Sequence, residues 1–249
     1  MCRRLGLLTR GPLHYSGAMC GRYATFTRLD EQPGLFDLDL ITEPVRQRPP
    51  SWNVAPTTDV PVIVERYDEG LSREAHLAHW GLLPPWAKDR SFAAKMINAR
   101  AESVAEKRSF APSLKKRRCL VPADGYYEWK KVGGTKQPYY ISRADGLPLA
   151  FAGLYSWSRD ADGWLLSTTI ITKVADQLAD IHDRVPVVLN REDFAAWLDP
   201  RSESVDAALD ILQHPSPALS AIPVAKDVGR VSVDLPANIE EIPADQVIG

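Results

Sequence analysis

Cysteine is scarce in this chain: Cys2, Cys20 and Cys119 are the only three in 249 residues. They are too few and too widely spaced for a disulfide framework, and no CxxC pair or neighbouring histidine suggests a zinc site. An odd count leaves room for a reactive thiol. Long hydrophobic runs are missing as well. No apolar stretch approaches the roughly 18 residues of a membrane span, and LGLL near the start is too short for the core of a signal peptide. Nor is there an internal repeat or a low-complexity linker to mark a domain boundary. What remains is a single soluble domain, expected in the cytoplasm, and 45% hydrophobic with 25% charged residues suffices to build it.

The net charge of −2 conceals a gradient. From Trp86 to Arg118 there are ten Lys/Arg against three Asp/Glu, and from Asp199 to the end three against nine. The basic run is either a face for phosphates or a solvated surface.

Alternating and β-branched stretches bounded by Gly, Asp and Pro predict strands at VPVIVERY, REAHLAHW, RCLVP, QPYYIS, LPLAFAGLY, WLLSTTIIT and VPVVL. Helices are expected around Arg28 to Phe36, across ARAESVAEKRSF, over NREDFAAWL with Asn190 as its cap, and over SESVDAALDILQ. The prolines of RQRPPSWNVAPTT forbid a regular helix there. Many short strands with few helices predict an α+β fold built on a curled, mainly antiparallel, barrel-like sheet with flanking helices.

Four places carry residue types suited to chemistry. In MINARAESV, Asn98 either caps a helix or orients a polar substrate, and Arg100 is placed to hold a phosphate. In GYYEW, Glu128 sits among aromatic residues; it is either a poorly hydrated carboxylate fit for proton transfer or an exposed acid on a strand whose aromatics face the core. In ADIHDRVP, His182 is either a proton shuttle or a structural histidine, and Arg184 beside it is a phosphate-binding candidate. Trp86, followed by Lys88 and Arg90, either fills the core or offers a stacking platform to an unpaired base.

Read in order, MCGRY, NVAPT, WGLLPPW, NARAE, RCLVPADGYYEW, AGLY and IHDRVP resemble the SRAP family, the SOS-response-associated peptidases that act as abasic-site crosslinking proteins. The likeness runs from Met19 to about Leu198, with the domain taken as 19–249. It implies a DNA-repair role in which abasic sites in single-stranded DNA, notably at stalled replication forks, are captured covalently by an N-terminal cysteine. The matching residues are Cys20 as nucleophile, Asn98 and Glu128 in the active site and His182 as acid/base, while Arg22, Trp86, Arg100 and Arg184 match positions associated with DNA contact. The family reading implies no metal or organic cofactor. It also implies a place on the nucleoid when bound to DNA, with replication-fork proteins as further partners, and nothing in the sequence requires more than a monomer. The usual IHDRMP reads IHDRVP here, an apolar exchange at Val185.

Elementary chemistry agrees with that role for Cys20. An abasic site is partly an open-chain aldehyde. An α-amine, with a pKa near 8 against about 10.4 for lysine, is the more available nucleophile at neutral pH. Amine attack gives a Schiff base, and the thiol on the same residue closes a five-membered thiazolidine at high effective molarity. This chemistry requires a free amine at Cys20, yet residues 1–18 precede MCGRY as a leader. The expectation is that Met19 is the true initiator. The alternatives are self-removal of the leader by an N-to-S acyl shift assisted by Glu128, or exposure of Cys2 instead. Two other functions stay open on the sequence: a cysteine peptidase using Cys20 and His182, and a non-catalytic single-strand-binding module.

Overall fold

The computed structural model describes residues 21–31, 33–87, 89–160 and 163–248. The expectations for residues 1–18, Met19 and Cys20 lie outside them. The described strands, in chain order, are β1 (Tyr23–Thr25), β2 (Leu40–Ile41), β3 (Ser51–Val54), β4 (Asp59–Tyr67), β5 (Leu71–Trp80), β6 (Asn98–Arg100), β7 (Arg118–Ala123), β8 (Gly125–Val132), β9 (Thr135–Arg143), β10 (Leu149–Asp160), β11 (Gly163–Val174), β12 (Arg184–Pro186) and β13 (Leu219–Pro223). Five short helices accompany them: α1 (Pro33–Phe36), α2 (Glu43–Arg46), α3 (Ala111–Lys116), α4 (Phe194–Leu198) and α5 (Val205–Ile211).

The fold is α+β, with the curled sheet that the strand pattern predicts. Strands β11, β10, β7, β4 and β5 pair antiparallel in that order. A short parallel pairing of β5 with β11, His79 with Ser167 and Trp80 with Thr168, then closes the ring. Both faces of β4 and β7 are largely buried, which explains their nearly continuous apolar runs, whereas β5 is only partly buried and alternates. Along β4, Val60, Val62 and Val64 join Trp80, Cys119, Val121, Phe151 and Ile170 in one cluster. Ile63, with Leu120, Leu154 and Ile171, joins another that includes Leu114, Trp197 and Ile211 from the helices. The first cluster fills the barrel and the second seats the helices on its outside.

A second sheet, ordered β13-β9-β8-β1-β3, lies against the barrel. Its Tyr23, Tyr126 and Ile141 extend the barrel cluster. On its other face Ala24, Tyr127 and Tyr140 pack with Val224 and Val228 of the acidic C-terminal region. The alternation of Tyr126 and Tyr127 across the pleat thus ties β8 to both layers.

Four local expectations are corrected. The helix around Arg28 to Phe36 is two separate turns, a 3-10 turn at Leu29–Glu31 and α1. The helix across ARAESVAEKRSF does not form: Asn98–Arg100 is strand β6, Ala101–Ser103 is a 3-10 turn and a helix begins only at Ala111. Parallel pairing of Ile170, Ile171 and Thr172 with Asn98, Ala99 and Arg100 overrides the helical propensity of the segment. Asn190 does not cap with its side chain, which donates to the Pro215 carbonyl, whereas Ser204 does cap α5. VPVVL is strand only through Pro186, with Val188 making a single bridge to Phe151.

Gly125 opens β8 directly beneath Tyr140, where a β-carbon would overlap the phenol ring. Gly125→Ala is therefore expected to destabilise the protein by about 1–3 kcal/mol through overpacking, read as a lowered midpoint in urea unfolding.

Candidate functional site

Strand β11 assembles the segments that the sequence singled out. On one edge of its C-terminal half it pairs with β6, which carries Asn98 and Arg100. On the other it pairs with β12, Val174 opposite Arg184, so the chain between them returns through His182. Strand β8 supplies Glu128 from the second sheet, opposite Tyr139 in the ladder with β9.

Glu128 is buried, only 3% exposed, so the reading of it as a solvated acid falls. Its Oε2 lies 3.9 Å from Nε2 of His182, whose side chain is 27% exposed. That separation is too long for a direct hydrogen bond and leaves the two groups facing a common space. The other ring nitrogen of His182, Nδ1, accepts from the Arg184 backbone N–H at 3.1 Å. In the neutral ring the proton then sits on Nε2, on the side of Glu128. Asp183 Oδ1 lies 3.1 Å from Nδ1 and can accept from the imidazolium. An ion pair of 2.8 Å between Lys130 and Asp180 joins the same two segments.

Asn98 stands within β6, so its capping reading falls together with the helix. Arg100 is exposed at the end of that strand. Trp86 is 43% exposed, its ring edge-on to Phe92. Arg108 lies over the Trp86 ring at 5.2 Å, a cation–π contact that sequence reasoning missed because nothing in the spacing of 86 and 108 joins them. Lys88 lies outside the described residues.

The remaining two arginines are engaged within the protein. Arg184 is 8% exposed; its guanidinium forks onto Glu102 at 2.8 and 2.9 Å and donates to the Thr172 carbonyl at 2.8 Å. Partial burial pushes the Glu102 carboxyl up, but the hydrogen bonds from Arg184 and the Val174 N–H outweigh it and hold the pKa below the ordinary value. Arg22 donates to Asn53 Oδ1 at 2.8 Å and to the carbonyls of Val228 and Gly229 at 3.0 and 3.3 Å. Burial lowers its guanidinium pKa from the ordinary value. A phosphate contact by either arginine has to displace these partners.

Asn53, from NVAPT, is the residue that sequence reasoning passed over most plainly. Buried at 3% exposure, it donates from Nδ2 to the carbonyls of Val228, Arg230 and Val233. Asp234 reaches back to Ser51 and the Trp52 N–H. The acidic C-terminal segment is thus bound to β3 and to Arg22. The basic run is likewise partly consumed internally: Lys115 and Lys116 pair with Glu203, and Arg118 donates to five main-chain carbonyls between Leu114 and Ser202.

Cys119 is buried, and burial pushes its thiol up to about 12, against the lowering effect of a contact with Thr168. Among the described residues no cluster of His, Cys, Asp and Glu is arranged to hold a metal ion, and no helix is long and apolar enough to cross a membrane.

A family model described as SOS response associated peptidase (SRAP) matches residues 19–231. The chain is 40% identical over 198 residues to the abasic site processing protein YoqW of Bacillus subtilis (strain 168), covering 78% of this chain and 87% of that protein. It is 35% identical over 226 residues to the abasic site processing protein YedK of Escherichia coli (strain K12), covering 86% and 95%. Over 237 residues it is 31% identical to the abasic site processing protein HMCES of Rattus norvegicus, covering 80% and 66%. A crystal structure of a Bacteroides thetaiotaomicron protein shares the fold at a TM-score of 0.77 and 24% identity, covering 90% of this chain and 100% of that one.

Two outcomes are expected from these placements. Asn53→Ala removes hydrogen bonds worth about 1–3 kcal/mol when their partners stay buried, and limited proteolysis will then cut within residues 226–242 sooner than in the wild type. Iodoacetamide at a mildly alkaline pH will leave Cys119 unlabelled in the native protein and label it in denaturant, as peptide mapping will show.

Proposed function

Because the chain belongs to the SOS response associated peptidase (SRAP) family, we propose that it processes abasic sites in single-stranded DNA by capturing the sugar aldehyde on the free amine and thiol of an N-terminal Cys20. The observation that carries the reading is the Glu128–His182 pair, a buried carboxyl and a half-open imidazole facing each other at 3.9 Å. Strand β1 leads toward it: Tyr23 pairs with Tyr126, and Tyr127 N–H donates to the Arg22 carbonyl, so the antiparallel ladder runs from there toward Gly21 and Glu128. Cys20 is bonded to Gly21.

In this reaction the α-amine nitrogen attacks the C1′ carbonyl carbon, and the carbinolamine loses water to give the imine. The thiol sulfur then bonds to the imine carbon while its proton passes to nitrogen. The sum is amine, thiol and aldehyde to thiazolidine and water. Glu128 takes and returns protons during imine formation. His182, with its proton on Nε2, protonates the sugar ring oxygen as the aldehyde opens, or the nitrogen when the link reverses. Asn98 orients the Cys20 terminus. Arg100 takes a flanking phosphate and Trp86, braced by Arg108, stacks on a neighbouring base. Arg22 and Arg184 serve by bracing the site from beneath. The missing base and the strand's shape are what is recognised, with little dependence on sequence.

The test uses two purified forms, one starting at Met1 and one at Met19, each checked by intact mass and mixed with single-stranded DNA holding one abasic site. The form with Cys20 at its N-terminus is expected to give a heat-stable adduct on a denaturing gel. Cys20→Ser should give none, and Glu128→Gln should slow formation on the order of 100-fold. Absence of any adduct from a form with Cys20 at its N-terminus, or a stable adduct from Cys20→Ser, overturns the proposal. Trimming of the Met1 form to Cys20 would identify the leader as a propeptide.

A further inference from the structure

The NARAE and HDRVP segments are joined by a contact that reaches the site only indirectly. Glu102 lies in the 3-10 turn that follows β6, and both its oxygens are taken by Arg184, at 2.8 and 2.9 Å. The same guanidinium donates to the carbonyl and hydroxyl of Thr172 on β11, at 2.8 and 3.2 Å. Glu102 Oε1 also accepts from the Val174 N–H at 3.2 Å, tying it to the last residue of β11. A planar fork gripped by four acceptors has little rotational freedom, so the main chain from which it springs is fixed as well. That main chain carries the Arg184 N–H, which donates to Nδ1 of His182.

We propose that Glu102 is a positioning residue for His182: by clamping Arg184 it fixes the backbone N–H that holds the imidazole with its Nε2 proton toward Glu128. The β11–β12 ladder holds the Arg184 main chain opposite Val174, and among the described residues no side chain around the ring other than Arg184, held by Glu102, adds to that service. Asp183 is exposed and accepts only from a protonated Nδ1. Glu128 faces the opposite nitrogen. Lys130 is paired with Asp180, and Lys173 with Asp176 at 2.7 Å. With the clamp intact, a proton leaving Nε2 moves along the axis to Glu128, and Nδ1 stays an acceptor. Without it the ring can turn, exchange tautomers and present the wrong nitrogen. The importance of this for reaction rate rests on the crosslinking function proposed above; the effect on the ring does not.

The experiment has two readouts on the full chain. The first is a ring ¹H–¹⁵N correlation spectrum of His182, assigned with His182→Gln and recorded above the ordinary histidine pKa of ~6.5. The wild type should show a single tautomer with Nδ1 unprotonated. Glu102→Gln should move both ring nitrogens toward the average of two exchanging tautomers, and Glu102→Asp, which keeps the charge and folds if the neutral variant does not, should lie between. The second readout is the crosslinking rate in a double-mutant cycle. Glu102→Gln should slow the wild type about tenfold, part of the ~100-fold typical of an acid–base group. In a His182→Gln background the same substitution should cost less than about twofold, because it acts through a ring no longer there. Equal losses in both backgrounds, or ring signals unchanged by both Glu102 variants, overturn the proposal. The spectrum decides the positioning claim even in a protein that forms no crosslink.

Discussion

The main chain of β11 is paired on both edges through its middle, between Ser167 and Thr172, and the placement of the site follows from those pairings. On one edge it pairs with β10 and then with β12; on the other it meets β5 and then β6. The β5 pairing closes the barrel and removes an open sheet edge. The β6 and β12 pairings bring together Asn98, Arg100, Glu102, His182 and Arg184, which are separated by up to 86 positions in the chain. A site assembled from pieces this far apart is held because the strand beneath it has no slack on either side.

Cations inside the fold are handled by one device. Arg22, Arg118 and Arg184 each direct a guanidinium into main-chain carbonyls; Arg22 adds Asn53 as a side-chain acceptor, and Arg184 adds Glu102 and the Thr172 hydroxyl. Taking a charge out of water is costly unless its donors are engaged; Arg118 engages all five, whereas the buried Nε of Arg184 is left without a partner. Arg22 and Arg184, the two of these that the sequence offers as phosphate contacts, therefore hold internal partners that such a contact has to displace. Arg100 and Arg108, by contrast, stay at the surface, the latter over Trp86.

Much of the fold was legible. The seven strands read from alternation are strands, although VPVVL only in its first part, because burial on two faces writes itself into sequence as β-branched runs. The segment 99–110 was not legible: its alanines and charged residues favour a helix locally, but pairing to β11, some 70 residues away, makes its start a strand through Arg100, and a 3-10 turn and further turns follow. For the site, residue types and motifs located Glu128 and His182, and the structure brings them within 3.9 Å. The structural commitments of Arg22 and Arg184 were invisible, since an arginine bound to a carbonyl and one awaiting a phosphate are spelled alike. Asn53 escaped for a related reason. Its partners are carbonyls of residues 228–233, and backbone acceptors leave no mark in a sequence.

The grip of Asn53 and Arg22 on the C-terminal segment also sets an order of events during synthesis. The contact from Arg22 to Val228 spans 206 positions, and at about 5–20 residues per second a ribosome takes roughly 10–40 s to make the intervening chain. For that interval the first strand has no finished surroundings. Only the last-made residues close the layer over β1, so this part of the fold is completed at the end of synthesis and not at its start.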